Sequence, residues 1–118
     1  MSVVIYGIPN CDTMKKARAW LEENGVAHTF HDYKKQGVDR ERLEAWVDEL
    51  GWETVLNRAG LSFKKLPEDQ RAGVDRGRAV DLMLFNPSMI KRPILDLGDR
   101  RLAGFQPEAY AAALRISG

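Results

Sequence analysis

One cysteine, Cys11, is the residue of this sequence best suited to do chemistry. It follows a short apolar run at 3–6 and a turn-forming segment at 7–10, and a segment with helical spacing comes after it. A thiol at the start of a helix lies near unpaired N–H groups and the positive end of the helix dipole, and both favour the thiolate. Lys15 and Lys16 add positive charge one turn further on. Many lone cysteines are instead small buried hydrophobic residues, so position alone leaves a reactive thiol and a packing role both open.

The residues near Cys11 exclude a dithiol mechanism within the chain. Met14 stands where a C-x-x-C motif would place its second cysteine, and no other cysteine occurs in the sequence. A mixed disulfide formed on Cys11 must therefore be resolved by a thiol from outside the chain. Glutathione is the cellular thiol that we expect in this role, as a co-substrate and not as a tightly bound cofactor.

An arginine followed by a proline, Arg92-Pro93, is the second candidate site. A cis peptide bond before Pro93 would present the backbone of Arg92 to a ligand, and the guanidinium is suited to pair with a carboxylate or another oxyanion. The residues by themselves favour a plainer interpretation, in which Arg92 is a surface arginine and Pro93 a trans proline that begins a strand.

The composition excludes several classes of function. With 18 basic and 17 acidic residues the formal net charge is +1, whereas a dedicated nucleic-acid binder usually carries a basic excess. One cysteine and two histidines are too few for a disulfide framework or the common zinc sites, so we expect no metal. No apolar run approaches the roughly 20 residues that span a bilayer, and Pro9, Asn10 and Asp12 interrupt any signal peptide. We therefore expect a cytoplasmic protein that acts away from nucleic acids and membranes.

The hydrophobic pattern at the start of the chain predicts a parallel β-α-β unit. Strands are expected at 3–6 and 28–33, with a helix between them that ends at Asn24-Gly25. The residues that share the apolar face of this helix are Met14, Ala17 and Leu21. The polar residues that could cap its start are Asn10, Asp12 and Thr13.

The middle of the chain, from about residue 37 to 90, is predicted to hold several helices and no strand. These helices are expected after Asp39, which can cap the first of them, at 52–59, near Leu66 and after Asp75. The chain then returns to strands at 93–97 and 101–105, and Pro107 begins the last helix. We find no linker or repeat, so we predict one domain over 1–118 with an all-helical subdomain inserted at about 37–90.

Taken together, several spaced motifs resemble the arsenate reductase (ArsC)/Spx family, and within it the YffB-type branch. The motifs are Tyr6-Gly7-Ile8-Pro9-Asn10-Cys11-Asp12-Thr13, Lys16-Ala17-Arg18-Ala19-Trp20-Leu21, Asn57-Arg58, Phe63-Lys64-Lys65-Leu66 and Lys91-Arg92-Pro93-Ile94-Leu95. The resemblance implies an α/β, thioredoxin-like fold with a helical insertion. It also implies that Cys11 is the nucleophile and that Arg92 precedes a cis Pro93 facing it. In thioredoxin-like proteins the backbone at that position commonly pairs with the backbone of glutathione or of a substrate cysteine.

Departures from the family pattern separate its members. Arsenate reductases of this type gather three arginines around the cysteine, and only Arg92 matches, because Asn57 and Gly104 align with the other two. Arg58 would compensate in part if the alignment shifts by one residue. The histidine commonly found four residues before their cysteine is Gly7 here. Spx-type regulators, which bind RNA polymerase, usually carry a C-x-x-C redox switch, which Met14 interrupts.

We therefore predict a glutathione-dependent monothiol thiol–disulfide oxidoreductase with Cys11 as its catalytic residue. The residues expected to bind glutathione or the substrate are Asn10, Thr13, Lys15, Arg58, Arg92 and Pro93. Its partners would be glutathione and a thiol or disulfide substrate, with glutaredoxin as a further candidate. Two alternatives stay open: an arsenate reductase that uses glutathione and glutaredoxin, and a regulator that docks on RNA polymerase through Lys16, Arg18 and the Gly51-Trp52 turn.

Overall fold

The computed structural model describes residues 3–115, and its central feature is a four-stranded sheet. The strands are β1 (Val4–Gly7), β2 (Thr29–Asp32), β3 (Ile94–Asp96) and β4 (Arg101–Ala103). They follow the order β2-β1-β3-β4 across the sheet. The pairing of β1 with β2 is parallel, and the pairings of β1 with β3 and of β3 with β4 are antiparallel. The α/β class and the parallel β-α-β unit predicted from the sequence are confirmed.

The strand pairings bring three segments of the chain to one edge of the sheet. Gly7 at the end of β1 pairs with Asp32 at the end of β2, because the two strands are parallel. Tyr6 pairs with Ile94 at the beginning of β3, because these strands are antiparallel. The segments that follow β1 and β2 and the segment that precedes β3 therefore meet at the same edge. They carry Cys11, Tyr33 and Arg92, respectively.

The first helix, α1 (Asp12–Glu23), buries the apolar face that the sequence predicts. Met14, Ala17 and Leu21 are each 0% exposed. They pack in one core with residues of β1, of the β3 region and of the last helix, α8 (Pro107–Leu114). The other buried members of this core are Val3, Ile5, Leu95, Leu97 and Tyr110.

The prediction of a polar N-cap residue for α1 was wrong. The N-cap is Cys11, with φ −130° and ψ 126°, and not Asn10, Asp12 or Thr13. A thiol is a poor capping group beside Ser, Thr, Asp or Asn, and no side-chain capping hydrogen bond forms here. The N–H groups of the first turn are thus not used up by a side-chain cap. The end of the helix is as predicted, with Asn24 as C-cap and Gly25 at φ +67°.

The middle of the chain is helical, as predicted. Its elements are α2 (Tyr33–Gln36), α3 (Arg40–Leu50), α4 (Trp52–Val55), α5 (Leu61–Lys64), α6 (Glu68–Arg71), α7 (Arg76–Phe85) and a 3-10 turn (Pro87–Met89). The cap predicted at Asp39 is confirmed, since its carboxylate accepts a hydrogen bond from the backbone N–H of Arg42. Asp75 caps α7 in the same way, through the N–H of Arg78.

Some predicted boundaries were wrong. The helix expected at 52–59 ends at Val55, because Leu56 is extended and forms an isolated antiparallel bridge with Ile90. Helix α5 was not predicted. At the sheet, β2 ends at Asp32 because Tyr33 begins α2, and β4 ends before Gly104, whose φ is +81°.

The described residues divide into two compact units. One holds the N-terminal part through Tyr33 together with the part from Arg92 onward, and it contains the whole sheet. The other is Lys34–Lys91 and holds the helices α3 to α7. That the entire chain acts as one domain stays a prediction. No helix within residues 3–115 is long and apolar enough to cross a bilayer.

Candidate active site

The backbone around Cys11 places its thiol at the amino-terminal end of α1. The residue is half-buried and contacts the core formed by α1, β1 and α8. Its carbonyl accepts the first hydrogen bond of the helix, from the N–H of Lys15 at 3.0 Å. The side chain is therefore held at the amino end of a 12-residue helix, where the backbone dipoles are positive.

The acidity of Cys11 results from opposing effects. Partial burial raises the pKa of the thiol, but the N–H groups of Met14 and Thr13 and the guanidinium of Arg92 together lower it below its ordinary value. Arg92 acts both through its charge and through a side-chain hydrogen bond to the sulfur. The thiolate, which is the nucleophilic form, is thereby favoured. Of the two interpretations left open by the sequence, this environment favours the reactive thiol.

Arg92 reaches Cys11 from the segment that precedes β3. It is half-buried, and the Arg92-Pro93 peptide bond is cis. The residues by themselves favoured a trans proline and a surface arginine, which was wrong, whereas the cis bond implied by the family resemblance is confirmed. Pro93 is buried, and its carbonyl accepts a hydrogen bond of 2.8 Å from the N–H of Gly104. The Gly104 carbonyl in turn accepts one of 3.1 Å from the Tyr110 hydroxyl.

The other predicted site residues fall into two groups. Asn10, Thr13 and Lys15 surround Cys11 in the chain and are all exposed. The charge of Lys15 was expected to stabilise the thiolate, but the groups that lower this pKa are the two amides and Arg92. Arg58 belongs to the Lys34–Lys91 unit, is exposed, and holds its guanidinium 5.4 Å from the centre of the Trp52 ring. Their roles in binding stay predictions.

Close packing between Gly7 and Met14 is a feature that the sequence did not reveal. A Cβ atom on Gly7 would overlap Sδ of Met14 and lie 2.9 Å from its Cε. The Met14 side chain therefore occupies the space that any side chain at position 7 would need. Both positions depart from the family pattern, so the sequence singled them out, but it did not show that the two residues are in contact.

Tyr33 is a second feature that the sequence did not reveal. It begins α2 directly after β2 and is 2% exposed. Within residues 3–115 its hydroxyl has no hydrogen-bond partner. A tyrosine at the end of a predicted strand, at the edge where Cys11 also lies, is the signal that would have found it.

The described residues contain no cluster suited to a metal ion. Between residues 3 and 115, no three His, Cys, Asp or Glu side chains come together as a metal-binding group. The chemistry available at this site is that of one activated thiol, one guanidinium and the amides of a helix start.

The sequence of this chain is similar to a known protein family and to several curated proteins. The model of the ArsC family matches residues 6–113. A Haemophilus influenzae protein described as uncharacterized is 35% identical over 111 residues, which make up 94% of this chain and 97% of that protein. A Streptococcus pyogenes protein described as the global transcriptional regulator Spx is 29% identical over 114 residues, covering 95% of this chain and 84% of that protein.

Solved structures share the fold. One described as the YFFB protein is 62% identical, with a TM-score of 0.93, over 96% of this chain and 99% of that one. Another, described as an arsenate reductase (ArsC) related protein from Brucella melitensis, is 55% identical with a TM-score of 0.79, over 98% of this chain and 96% of that one. The predicted thioredoxin-like fold with a helical insertion is confirmed.

Proposed function

This chain belongs to the ArsC family, and within that family we propose that it is a glutathione-dependent monothiol thiol–disulfide oxidoreductase. The observation that carries the proposal is the environment of Cys11. The pKa of the Cys11 thiol is lowered by two helix amides and by Arg92, and the sequence has no second cysteine that could form a disulfide with it. An activated thiol without an internal partner is suited to exchange with disulfides from solution.

The proposed reaction runs in two exchange steps. In the first, the Cys11 thiolate attacks the glutathione sulfur of a mixed disulfide, the old S–S bond breaks, and the substrate leaves as a thiolate that takes up a proton. In the second, the thiolate of a further glutathione attacks the same sulfur, which releases the Cys11 thiolate and oxidised glutathione. Overall, the mixed disulfide and one further glutathione are converted into the substrate thiol and oxidised glutathione.

Arg92 has a role in both states of this cycle. In the reduced protein it stabilises the thiolate through charge and a hydrogen bond. Once the sulfur is bound in a disulfide it carries no negative charge, and the guanidinium then pairs with a glutathione carboxylate in a charge-assisted hydrogen bond. Such a reaction needs a reducing compartment rich in glutathione, which agrees with the cytoplasmic location expected from the sequence.

The test is mass spectrometry of the purified protein after incubation with oxidised glutathione. We expect an adduct about 305 Da heavier, released by excess reduced glutathione, as reversible S-glutathionylation requires. Cys11→Ser should form no adduct and should keep a native circular dichroism spectrum, because the replacement is nearly isosteric. If wild-type protein forms no adduct although iodoacetamide alkylates Cys11, the proposal is wrong.

A regulatory function is the second candidate, favoured by the 29% identity to the protein described as Spx. Of the residues expected to dock on RNA polymerase, Lys16 is exposed, but Arg18 is half-buried with its guanidinium 4.6 Å from the centre of the Phe30 ring. Trp52 is half-buried beside Arg58. Capture of polymerase subunits by the immobilised protein, without turnover of glutathione disulfides, would favour the regulator over the oxidoreductase.

A further inference from the structure

The hydroxyl of Tyr33 is a buried polar group that the described fold leaves without a partner. The residue is 2% exposed, and within residues 3–115 no group forms a hydrogen bond with its hydroxyl. Burying a hydroxyl without a partner costs folding free energy, so native proteins seldom do it without a reason. Tyr110, the other fully buried tyrosine of this unit, donates to the Gly104 carbonyl.

The strand pairings place Tyr33 at the edge of the sheet that carries Cys11 and Arg92. Tyr33 follows Asp32, which pairs with Gly7, the last residue of β1. Its ring stacks on Tyr6 with 6.4 Å between the ring centres and 22° between the planes. Tyr6 pairs with Ile94, two residues after Arg92. Tyr33 therefore lies across the end of β1 from the Arg92 segment.

The charge state of Tyr33 suits a hydrogen-bond donor. Burial raises the pKa of the phenol, the neighbouring Tyr6 raises it further, and Arg92 lowers it in part. The hydroxyl therefore keeps its proton at neutral pH, and its oxygen lies within electrostatic range of the Arg92 guanidinium. A cation and a neutral donor on either side of the end of β1 can both bind a carboxylate, which only accepts hydrogen bonds.

We propose that the Tyr33 hydroxyl, together with Arg92, binds a carboxylate of the thiol ligand that reacts at Cys11. The contact is direct or passes through one water, which transmits a hydrogen bond nearly as well. This inference rests on the proposed function, since it assigns a subsite to the same ligand. This subsite would favour thiol compounds that carry a carboxylate, such as glutathione, over small neutral thiols.

The experiment compares two disulfides on wild-type protein and on Tyr33→Phe. The rate constant for mixed-disulfide formation on Cys11 is measured with oxidised glutathione and with hydroxyethyl disulfide, which has no carboxylate. Tyr33→Phe should slow the reaction with oxidised glutathione about 10- to 100-fold, the range expected for one hydrogen bond to a charged group. The reaction with hydroxyethyl disulfide should change less than twofold, and the pKa of Cys11 should stay the same.

Stability measurements supply the control. Tyr33→Phe should leave the midpoint of urea unfolding unchanged or raise it, because the lost hydroxyl has no partner in the fold. Tyr110→Phe, which removes a satisfied hydroxyl, should lower that midpoint. Equal slowing of both disulfides, no slowing of either, or a lowered midpoint for Tyr33→Phe would overturn the inference. Failure of wild-type protein to react with oxidised glutathione while it reacts with hydroxyethyl disulfide would instead contradict the proposed function.

Discussion

The reactivity of Cys11 depends on a balance between burial and nearby positive groups. Half-burial favours the neutral thiol, whereas the Met14 and Thr13 amides and Arg92 favour the anion, and the net effect is a lowered pKa. The amides act on the sulfur because Cys11 itself is the N-cap residue, whose side chain lies beside the N–H groups of the first turn. The position at which a serine or aspartate would cap the helix therefore favours the thiolate of a cysteine.

The first prediction is that Cys11 is alkylated as a thiolate at neutral pH. The rate of reaction with iodoacetamide should rise with pH and level off above the pKa, because only the thiolate attacks. Since the pKa is lowered in the fold, the midpoint of this rise should lie below that of free glutathione measured in parallel. The urea-unfolded protein is the matched control, and its midpoint should return to the glutathione value. A midpoint in the folded protein at or above that value would mean that Cys11 is a packing residue.

A second prediction concerns Arg92→Ala. Loss of the guanidinium removes both its charge and its hydrogen bond to the sulfur, so the alkylation midpoint should move to higher pH. Binding of glutathione to Cys11 should also weaken by about 1–3 kcal/mol, roughly 5- to 150-fold, as its carboxylate loses a charged partner. Lys15→Ala removes a charge from the exposed start of the same helix and should shift the midpoint less. Equal shifts for the two variants would show that only general positive charge matters.

The end of β1 and the first turn of α1 are in contact through Gly7 and Met14, the two positions near Cys11 that depart from the family pattern. Gly7 has no side chain, and the Met14 side chain, which is 0% exposed, fills the space beside it. A histidine at position 7 and a methionine at position 14 cannot both fit without displacement of core atoms. The Met14 side chain thus occupies the space that a histidine at position 7 would need, and with methionine at position 14 Cys11 is the sole thiol of the sequence.

The third prediction follows from that packing. Gly7→Ala should lower the free energy of unfolding by about 1–3 kcal/mol in urea titrations, because its Cβ overlaps the buried Met14 side chain. Met14→Ala should also be destabilising, since it leaves a cavity. In the double variant the new methyl enters space that Met14 has vacated, so the loss should be smaller than the sum of the two single losses. Strict additivity would show that the two residues do not compete for space.

On the scale of the whole molecule, the sheet topology determines which groups can act on a ligand at Cys11. Parallel pairing of β1 with β2 and antiparallel pairing of β1 with β3 bring Cys11, Tyr33 and Arg92 to one edge. The backbone conformation at position 104 disfavours a further arginine there. Gly104 has φ +81°, where a residue with a side chain costs roughly 1–2 kcal/mol, and it links Pro93 to Tyr110 by hydrogen bonds.

The fourth prediction is poor arsenate reduction. Arsenate is a compact oxyanion, and each charged hydrogen bond that a site fails to supply costs about 1.5–3 kcal/mol. By the family resemblance, Asn57 and Gly104 stand where arsenate reductases of this type carry two of their three arginines, and neither residue is charged. Steady-state assays with glutathione and glutaredoxin should therefore show little arsenate turnover by protein that forms the glutathione adduct readily. Efficient arsenate turnover without any adduct would make the arsenate reductase the correct assignment.

The sequence by itself determined the local features of this protein. The sequence correctly predicted the cap at Asp39, the helix that follows Asp75, the helix end at Asn24-Gly25 and the buried face of α1. Each depends on residues within a few positions of one another, whose propensities and hydrogen bonds act locally. The choice of Cys11 as the candidate nucleophile is of the same kind, because a strand, a turn and a helix start are recognisable along the chain.

Only the tertiary structure decided which distant residues meet. Residue preferences favoured a trans bond before Pro93, and only the family resemblance implied that Arg92-Pro93 faces Cys11, 81 positions earlier. The hydrogen bond from the Arg92 guanidinium to the sulfur is seen only in the structure. The early end of α4 comes from the bridge between Leu56 and Ile90, and the overlap of Gly7 with Met14 comes from packing of a helix on a strand. The unpartnered hydroxyl of Tyr33 likewise cannot be recognised from the sequence. Contacts of this kind depend on strand register and side-chain shape, which no local propensity encodes.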